Sequence, residues 1–314
     1  MKNLPLVSFG IVNCNRLFYL KSCVESLLVC TEDYPNKEIM IIDNASVEEG
    51  TEEYLLEKEK QGIRVFRQKD RDPANEFAVA LNLICREARG EFVCPIQGDS
   101  QFVIKGGWLR EYVEFYSKNI QNVGCMSFDA QRRVTNSKTM FTPPEGESDF
   151  KFAFDRNRYP ISGAGDVMFS RRVINMIYPW EEENDAFEGG PDSETKMLQK
   201  TFDLIKQNNL NVGCAMPVLP VSVAIYTDPR GTNARIRGNK RYGKYWESKD
   251  DFRYYQIFNY DDIIEKAQDR QTPLGIEDVV ASAGGWSLPI DETGSWMKNP
   301  IRPETAKPGE YVDL

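Results

Sequence analysis

The 314-residue chain contains no histidine. That absence excludes a Ser-His-Asp triad, a Cys-His pair, a histidine-containing zinc site and any imidazole acid or base. Any catalysis therefore rests on carboxylates, hydroxyls, Lys, Arg, Cys or a bound metal. Cysteine is sparse: seven residues, at 14, 23, 30, 85, 94, 125 and 214, an odd number without a CxxC pair. An all-cysteine zinc site is disfavoured, and the pattern reads as reduced, buried thiols of a cytoplasmic protein. Long apolar runs are missing too, since none approaches the roughly 18–20 residues of a membrane span. The apolar stretch Leu4 to Val12 is broken by Pro5 and Ser8 and runs into Asn13 without a small-residue cleavage site, so it reads as a first strand and not as a signal peptide. Positive charge is in deficit: 39 Lys and Arg against 48 Asp and Glu leave a net charge of −9. An acidic chain is a poor electrostatic partner for nucleic acid or anionic membrane. What remains, 41% apolar and 28% charged residues, is a globular composition. The length suits either two units or one large α/β domain with an appendage.

The first half alternates strand and helix signals. Strands are expected at Val7–Val12, Glu38–Ile42, Ile63–Phe66, Glu91–Ile96 and Val123–Phe128. Between them lie helices: one with Leu17, Leu20, Val24, Leu27 and Leu28 on one face; Glu48–Lys60, with acidic residues crowding its first turn; Asn75–Arg89, with Phe77, Ala80, Leu81, Ile84 and Ala88 inward; and Trp108–Lys118. This order implies a doubly wound, mostly parallel sheet covered on both faces, with ligands bound beyond the carboxyl ends of its strands. Beyond it, residues 129–160 read as a polar surface excursion. Ser162–Phe169 reads as a glycine-rich loop and strand, residues 192–208 as a helix, and Val218–Tyr226 as a strand. We expect one domain over residues 1–228. A second segment, 229–314, begins with seven Lys or Arg against one Glu between Arg230 and Lys249 and continues as a small, mainly helical or irregular extension.

Three polar clusters stand where strands end: Asn13-Cys14-Asn15-Arg16, Asp43-Asn44-Ala45-Ser46 and Gln97-Gly98-Asp99-Ser100. Each alone is ordinary turn chemistry. All three at one edge of one sheet point to a site, because that edge is where such sheets bind ligands.

With these residues the chain resembles the family 2 glycosyltransferases of GT-A fold over about residues 4–228. The opening VSFGIVNCN and the segment EIMIIDNAS, ending at Ser46, carry the likeness most specifically. Ala78 to Asn82, Gly90-Glu91-Phe92-Val93, Asp99, Gly163-Ala164-Gly165 and Asp192 follow in the family's order. The resemblance implies a nucleoside-diphosphate sugar donor, commonly a UDP-sugar. Asp43 would accept hydrogen bonds from the base, while Val12, Asn13, Asn15, Asn44 and Ser46 line base and ribose. Asp99 corresponds to the second acid of the family's DxD motif, which holds Mn²⁺ or Mg²⁺ on the diphosphate. The motif is reduced here, with Gln97 in place of the first acid and Gly98 between. Gln97 retains a ribose contact. Where many members have a histidine ligand, Asp228 is the nearest oxygen donor. Glu76 and Leu81 stand where a Gly and an Arg are usual.

Asp192 matches the family's catalytic base, which takes the acceptor hydroxyl's proton in an inverting transfer, and Glu194 is second choice. Asp192 is equally a helix N-cap, and Asp228 equally a turn residue before Pro229. Asp166 is a further candidate for acceptor contacts. Arg235 and Arg237 in the basic segment suit phosphate oxygens if that segment closes as a lid, or they belong to a solvated loop. The implied function is a metal-dependent, inverting glycosyltransferase acting on a saccharide or other hydroxyl acceptor. A nucleic-acid acceptor is disfavoured by the overall charge. The alternative is an inactive GT-A-like module that binds sugar, nucleotide or a partner.

Overall fold

Val7, Phe9 and Ile11 alternate with Ser8 and Gly10, and the chain folds this run into an interior strand of the sheet, β1 (Val7–Asn13). The computed structural model describes residues 4–72, 75–128, 141–142, 152–155, 166–182, 193–215, 221–224 and 257–261. From β1 the chain passes through α1 (Leu17–Cys30), β2 (Lys37–Asp43), α2 (Thr51–Lys60), β3 (Arg64–Arg67), α3 (Glu76–Glu87) and β4 (Phe92–Gln97). Two short strands, β5 (Ser100–Phe102) and β6 (Ile104–Lys105), precede α4 (Trp108–Lys118) and β7 (Val123–Ser127). Then come β8 (Phe141–Thr142), β9 (Phe152–Asp155), β10 (Val167–Ser170), α5 (Arg171–Ile177), α6 (Ser193–Gln207), β11 (Asn211–Ala215), β12 (Ser222–Ala224) and β13 (Phe258–Asn259).

The main sheet has the order β3-β2-β1-β4-β10-β7-β11-β9-β8. Strands β3, β2, β1 and β4 run parallel, in a register that pairs Asn13 with Asp43 and Val12 with Gln97. The order turns back between β1 and β4: β2 and β3 lie to one side of β1, and the later strands to the other. That switch point is where a crevice opens in a doubly wound sheet.

The alternating order does not place β10, which lies between β4 and β7, antiparallel to both. An inserted antiparallel strand makes the sheet mixed, and a period-two pattern cannot announce it because periodicity carries no direction. Part of the expected surface excursion, β8 and β9, also joins the sheet, through the antiparallel pairing of β9 with β11. Of the expected strand over Val218–Tyr226, residues 221–224 are described; they contain β12, which pairs with β5 away from the main sheet.

Each face carries its own core. On one side Phe9, Ile11, Phe92 and Ile96 pack with Tyr19, Leu20 and Val24 of α1, Tyr54 of α2 and Trp108 and Tyr112 of α4. On the other, Met40, Ile42 and Val93 pack with Ile84 of α3, Val173 of α5 and Met197 and Ile205 of α6. Gly10 faces the second side, where a Cβ would stand 2.5 Å from Ile84 side-chain atoms, so the missing side chain is what lets α3 approach β1. Among the described residues, no helix is long and apolar enough to cross a membrane.

Candidate functional site

The loops after β1, β2 and β4 meet at the switch point and are laced to one another. The Asn44 amide donates to Asn13 O at 2.8 Å and the Gly98 amide to Val12 O at 2.9 Å, carrying strand pairing past the strand ends. Gly98 is required there, because a Cβ would lie 2.7 Å from Val12 O. The Asp43 carboxylate is 4% exposed and accepts from Asn13 Nδ2 (2.8 Å), Ser46 Oγ (2.6 Å) and the Ser46 amide (2.9 Å). The Ser46 hydroxyl in turn accepts from the Asn15 amide at 2.6 Å, and Asn15 Oδ1 accepts from the Val47 and Glu48 amides.

This lacing holds unusual backbone. Asn15, Arg16 and Ala45 have φ of 52°, 62° and 50°. Asn adopts the left-handed region readily, but Arg and Ala pay about 1 kcal/mol or more each. Arg16 leads into α1, whose first amide, Leu17 N, donates to Glu48 Oε2 at 2.8 Å. Glu48, expected in the first turn of α2, thus precedes that helix and caps α1 instead, satisfying one of its orphan donors.

Between these loops lies a cleft of about 190 Å³ lined by Val12, Asn13, Cys14, Arg16, Asn44, Glu76, Phe77, Gln97, Gly98 and Asp99. Six of these, Val12, Asn13, Asn44, Gln97, Gly98 and Asp99, are candidates from the sequence. Asp43, Asn15 and Ser46 brace the loops that form the cleft. Asn44 is 2% exposed, and its Oδ1 lacks a hydrogen-bond donor among the described residues. A buried acceptor of this kind is uncommon and suits a ligand N–H or O–H. Asp99 is 8% exposed and accepts from Arg16 Nη1 at 2.8 Å. At the rim Arg71 makes a bidentate pair with Glu76, at 2.7 and 2.9 Å. Cys14 Sγ donates to Asn44 O, and burial pushes its thiol up to about 11 against the opposing pull of Arg71.

Cys14, Arg16, Glu76 and Phe77 are the cleft residues that sequence reasoning left without a role. Arg16 stands inside the first polar cluster, so position within that cluster was its one signal. Glu76 and Phe77 arrive from α3, and only the packing of that helix brings them to the strand ends. Asp166 lies behind Ser100, whose Oγ donates to Asp166 Oδ2 at 2.7 Å, and is 4% exposed. Asp192, Asp228, Arg235 and Arg237 lie outside the described residues. Glu194 falls on the first turn of α6, with its side chain outside the description. A larger groove, about 590 Å³, runs along α6 beside Trp180, Lys196 and Lys200, but no strand-end residue reaches it.

The residues present were tested against the divalent ion implied by the resemblance. Among the described residues, no three of Cys, Asp and Glu come together in a metal-binding group. The one candidate acid in the motif, Asp99, has a guanidinium on its Oδ2. The described residues do not by themselves fit a Mn²⁺ or Mg²⁺ centre.

The model of glycosyl transferase family 2 matches residues 8–176, more than half of the chain. The chain belongs to that family. A curated relative, the uncharacterized protein y4gI of Sinorhizobium fredii, is 35% identical over 126 residues, 40% of this chain and 13% of its own length. The chain thus spans about an eighth of the curated relative it matches. Among solved structures, S. aureus TarS 1-349 in complex with UDP-GlcNAc is 18% identical, covers 66% of this chain and 55% of its own, and superposes with a TM-score of 0.44. Mannosyltransferase PcManGT from Pyrobaculum calidifontis, in complex with GDP-Man and Mn²⁺, is 16% identical, covers 91% of this chain and 70% of its own, with a TM-score of 0.47. Both are remote at these identities. Within the family 2 region, the matched residues contain β1 to α5 and with them every described wall of the cleft.

Proposed function

We propose that this family 2 chain is an inverting glycosyltransferase that moves a sugar from a nucleoside-diphosphate sugar, a UDP-sugar, to a hydroxyl acceptor. The observation that carries the reading is the polar cleft at the switch point, with a buried Asn44 Oδ1 awaiting a donor. The base and ribose occupy the Val12, Asn13 and Asn44 side. Asp43 Oδ2 takes the Ser46 amide and retains acceptor capacity for the base's N–H. Gln97 serves the ribose, and the diphosphate lies toward Asp99 and Arg16.

Transfer then needs a base on the open side of the sugar. Asp192 immediately precedes α6 and takes the proton of the acceptor hydroxyl as its oxygen attacks the anomeric carbon. The bond to the diphosphate breaks on the opposite face, and the nucleoside diphosphate leaves with that electron pair. Glu194 is the substitute if Asp192 serves only as a cap. Arg235 and Arg237 fit a closing segment over the phosphates, which leaves residues 1–228 as the donor-binding unit. The free thiols at Cys14, Cys23, Cys30, Cys85, Cys94 and Cys125 support a reducing, cytoplasmic setting.

A second reading, a binding module without transferase activity, is favoured by the reduced acidic motif. One variant separates them. With an acceptor that supports turnover by the native chain, Asp192→Asn should keep UDP affinity within about twofold and lower transfer about a hundredfold or more. Full transfer by Asp192→Asn would remove the base assignment. A native chain that binds UDP-sugars but neither transfers nor hydrolyses them would favour the module.

A further inference from the structure

The acid that should hold a cation in this cleft is held by an arginine. Arg16 and Asp99 are 83 positions apart in sequence, yet Arg16 Nη1 stands 2.8 Å from Asp99 Oδ2 and both line the cleft. The Asp99 side chain is 10% exposed and the Arg16 side chain 39%. We propose that Arg16 is the cation that receives the donor's diphosphate, that Asp99 acts by holding its guanidinium there, and that nucleoside-diphosphate binding does not depend on a divalent ion. The inference rests on the nucleotide-sugar reading above and assigns the charge chemistry of that same site.

Charge balance is the first argument. Both acids that line the cleft are matched by arginines: Asp99 by Arg16, and Glu76 by the bidentate Arg71. A divalent ion on Asp99 would sit beside that guanidinium, two positive groups within a few ångströms. A diphosphate meets the opposite situation. A lone carboxylate would repel it, whereas a carboxylate already neutralised by a guanidinium presents that guanidinium to it. Five N–H donors in a planar fork let an arginine bridge two oxyanions at once.

Backbone geometry is the second argument. Arg16 is launched from a turn with two consecutive left-handed residues, Asn15 and Arg16. The turn is pinned on both sides, by the Asn15 amide on Ser46 Oγ and by the Leu17 amide on Glu48. A strained turn braced by four loop contacts is a costly way to place a surface arginine and a sound way to aim one. The reduction of the acidic motif to Gln97-Gly98-Asp99 fits as well, since one carboxylate suffices to hold one guanidinium.

Isothermal titration of the full chain with UDP, in EDTA and in excess MnCl₂, tests this. Native affinity should agree within about twofold between the two buffers, and Arg16→Met should weaken it about tenfold or more in both. Arg16→Lys keeps the charge and the same backbone cost, and should recover part of the loss while missing the forked geometry. Near-UV circular dichroism verifies that the variants fold; the native comparison of the two buffers decides the metal question whatever the variants do. UDP binding that requires Mn²⁺, or an unchanged affinity in folded Arg16→Met, overturns this inference and leaves the donor reading standing. No binding of UDP, GDP or dTDP by the native chain in either buffer overturns both.

Discussion

Cys14 is the one half-buried cysteine among those described, and it stands in the cleft wall with its thiol on Asn44 O. Desolvation raises its pKa to about 11, with Arg71 opposing and Glu76 and Asp43 reinforcing. The sign is clear: at pH 7 the group is a thiol, with a thiolate fraction of roughly one in ten thousand. Iodoacetamide at neutral pH should therefore leave Cys14 unmodified in the native chain and alkylate it after unfolding, as read by peptide mass. Alkylation should speed up as pH climbs toward the raised value. Fast native labelling at neutral pH would contradict the packing described for this wall. Single residues also show what sequence can and cannot reveal. Asn13, Asn44 and Asp99 are legible because each is a polar residue at the end of an apolar strand or just after it. Arg16 and Glu76 are charged residues among many, and their place in the cleft depends on partners 83 and 5 positions away.

At the scale of elements, the end of α3 shows how a neighbouring element completes a helix. Its terminal carbonyls have no partners within the helix. Arg171, the first residue of α5, donates to Cys85 O at 3.0 Å, to Ala88 O at 2.7 Å and to Gly90 O at 3.0 and 3.2 Å. Arg171→Met should leave these acceptors unmatched and cost about 2 kcal/mol or more, measured as a lower urea midpoint at unchanged slope. Arg171→Lys, a point charge without the fork, should restore only part of it. An unchanged midpoint would mean that water serves these carbonyls equally well. The same region marks a limit of sequence reading. Helices α1 to α4 declare themselves by apolar spacing, and α4 falls on its expected bounds. The seven-residue α5 is too short for periodicity to register, and its one signal is Ser170, whose Oγ accepts from Val173 N at 3.3 Å as an N-cap. The start of α2 shifts because Glu48, a plausible first-turn acid, finds the amide of α1.

For the whole molecule, the histidine-free sequence excludes imidazole chemistry, and the fold gathers carboxylate, amide, guanidinium and thiol groups at one edge. The doubly wound arrangement and the ligand edge are legible in the alternation of strands and helices. The antiparallel entry of β10 is not, because it is decided by packing between β4 and β7. The chain also returns late to this body: β13 pairs with β6, and Tyr260 is 4% exposed near Gly107. Part of the segment after residue 228 therefore packs against the first half, which composition alone does not reveal. The central claim is that the switch-point cleft holds the nucleotide of the donor. Hydrogen–deuterium exchange of the full chain with and without saturating UDP tests it most directly. The account predicts slowed exchange in the peptides covering Val12 to Arg16, Asn44 to Ser46 and Gln97 to Asp99. Protection confined to the groove along α6, or unchanged exchange at all three loops with UDP bound, would contradict it.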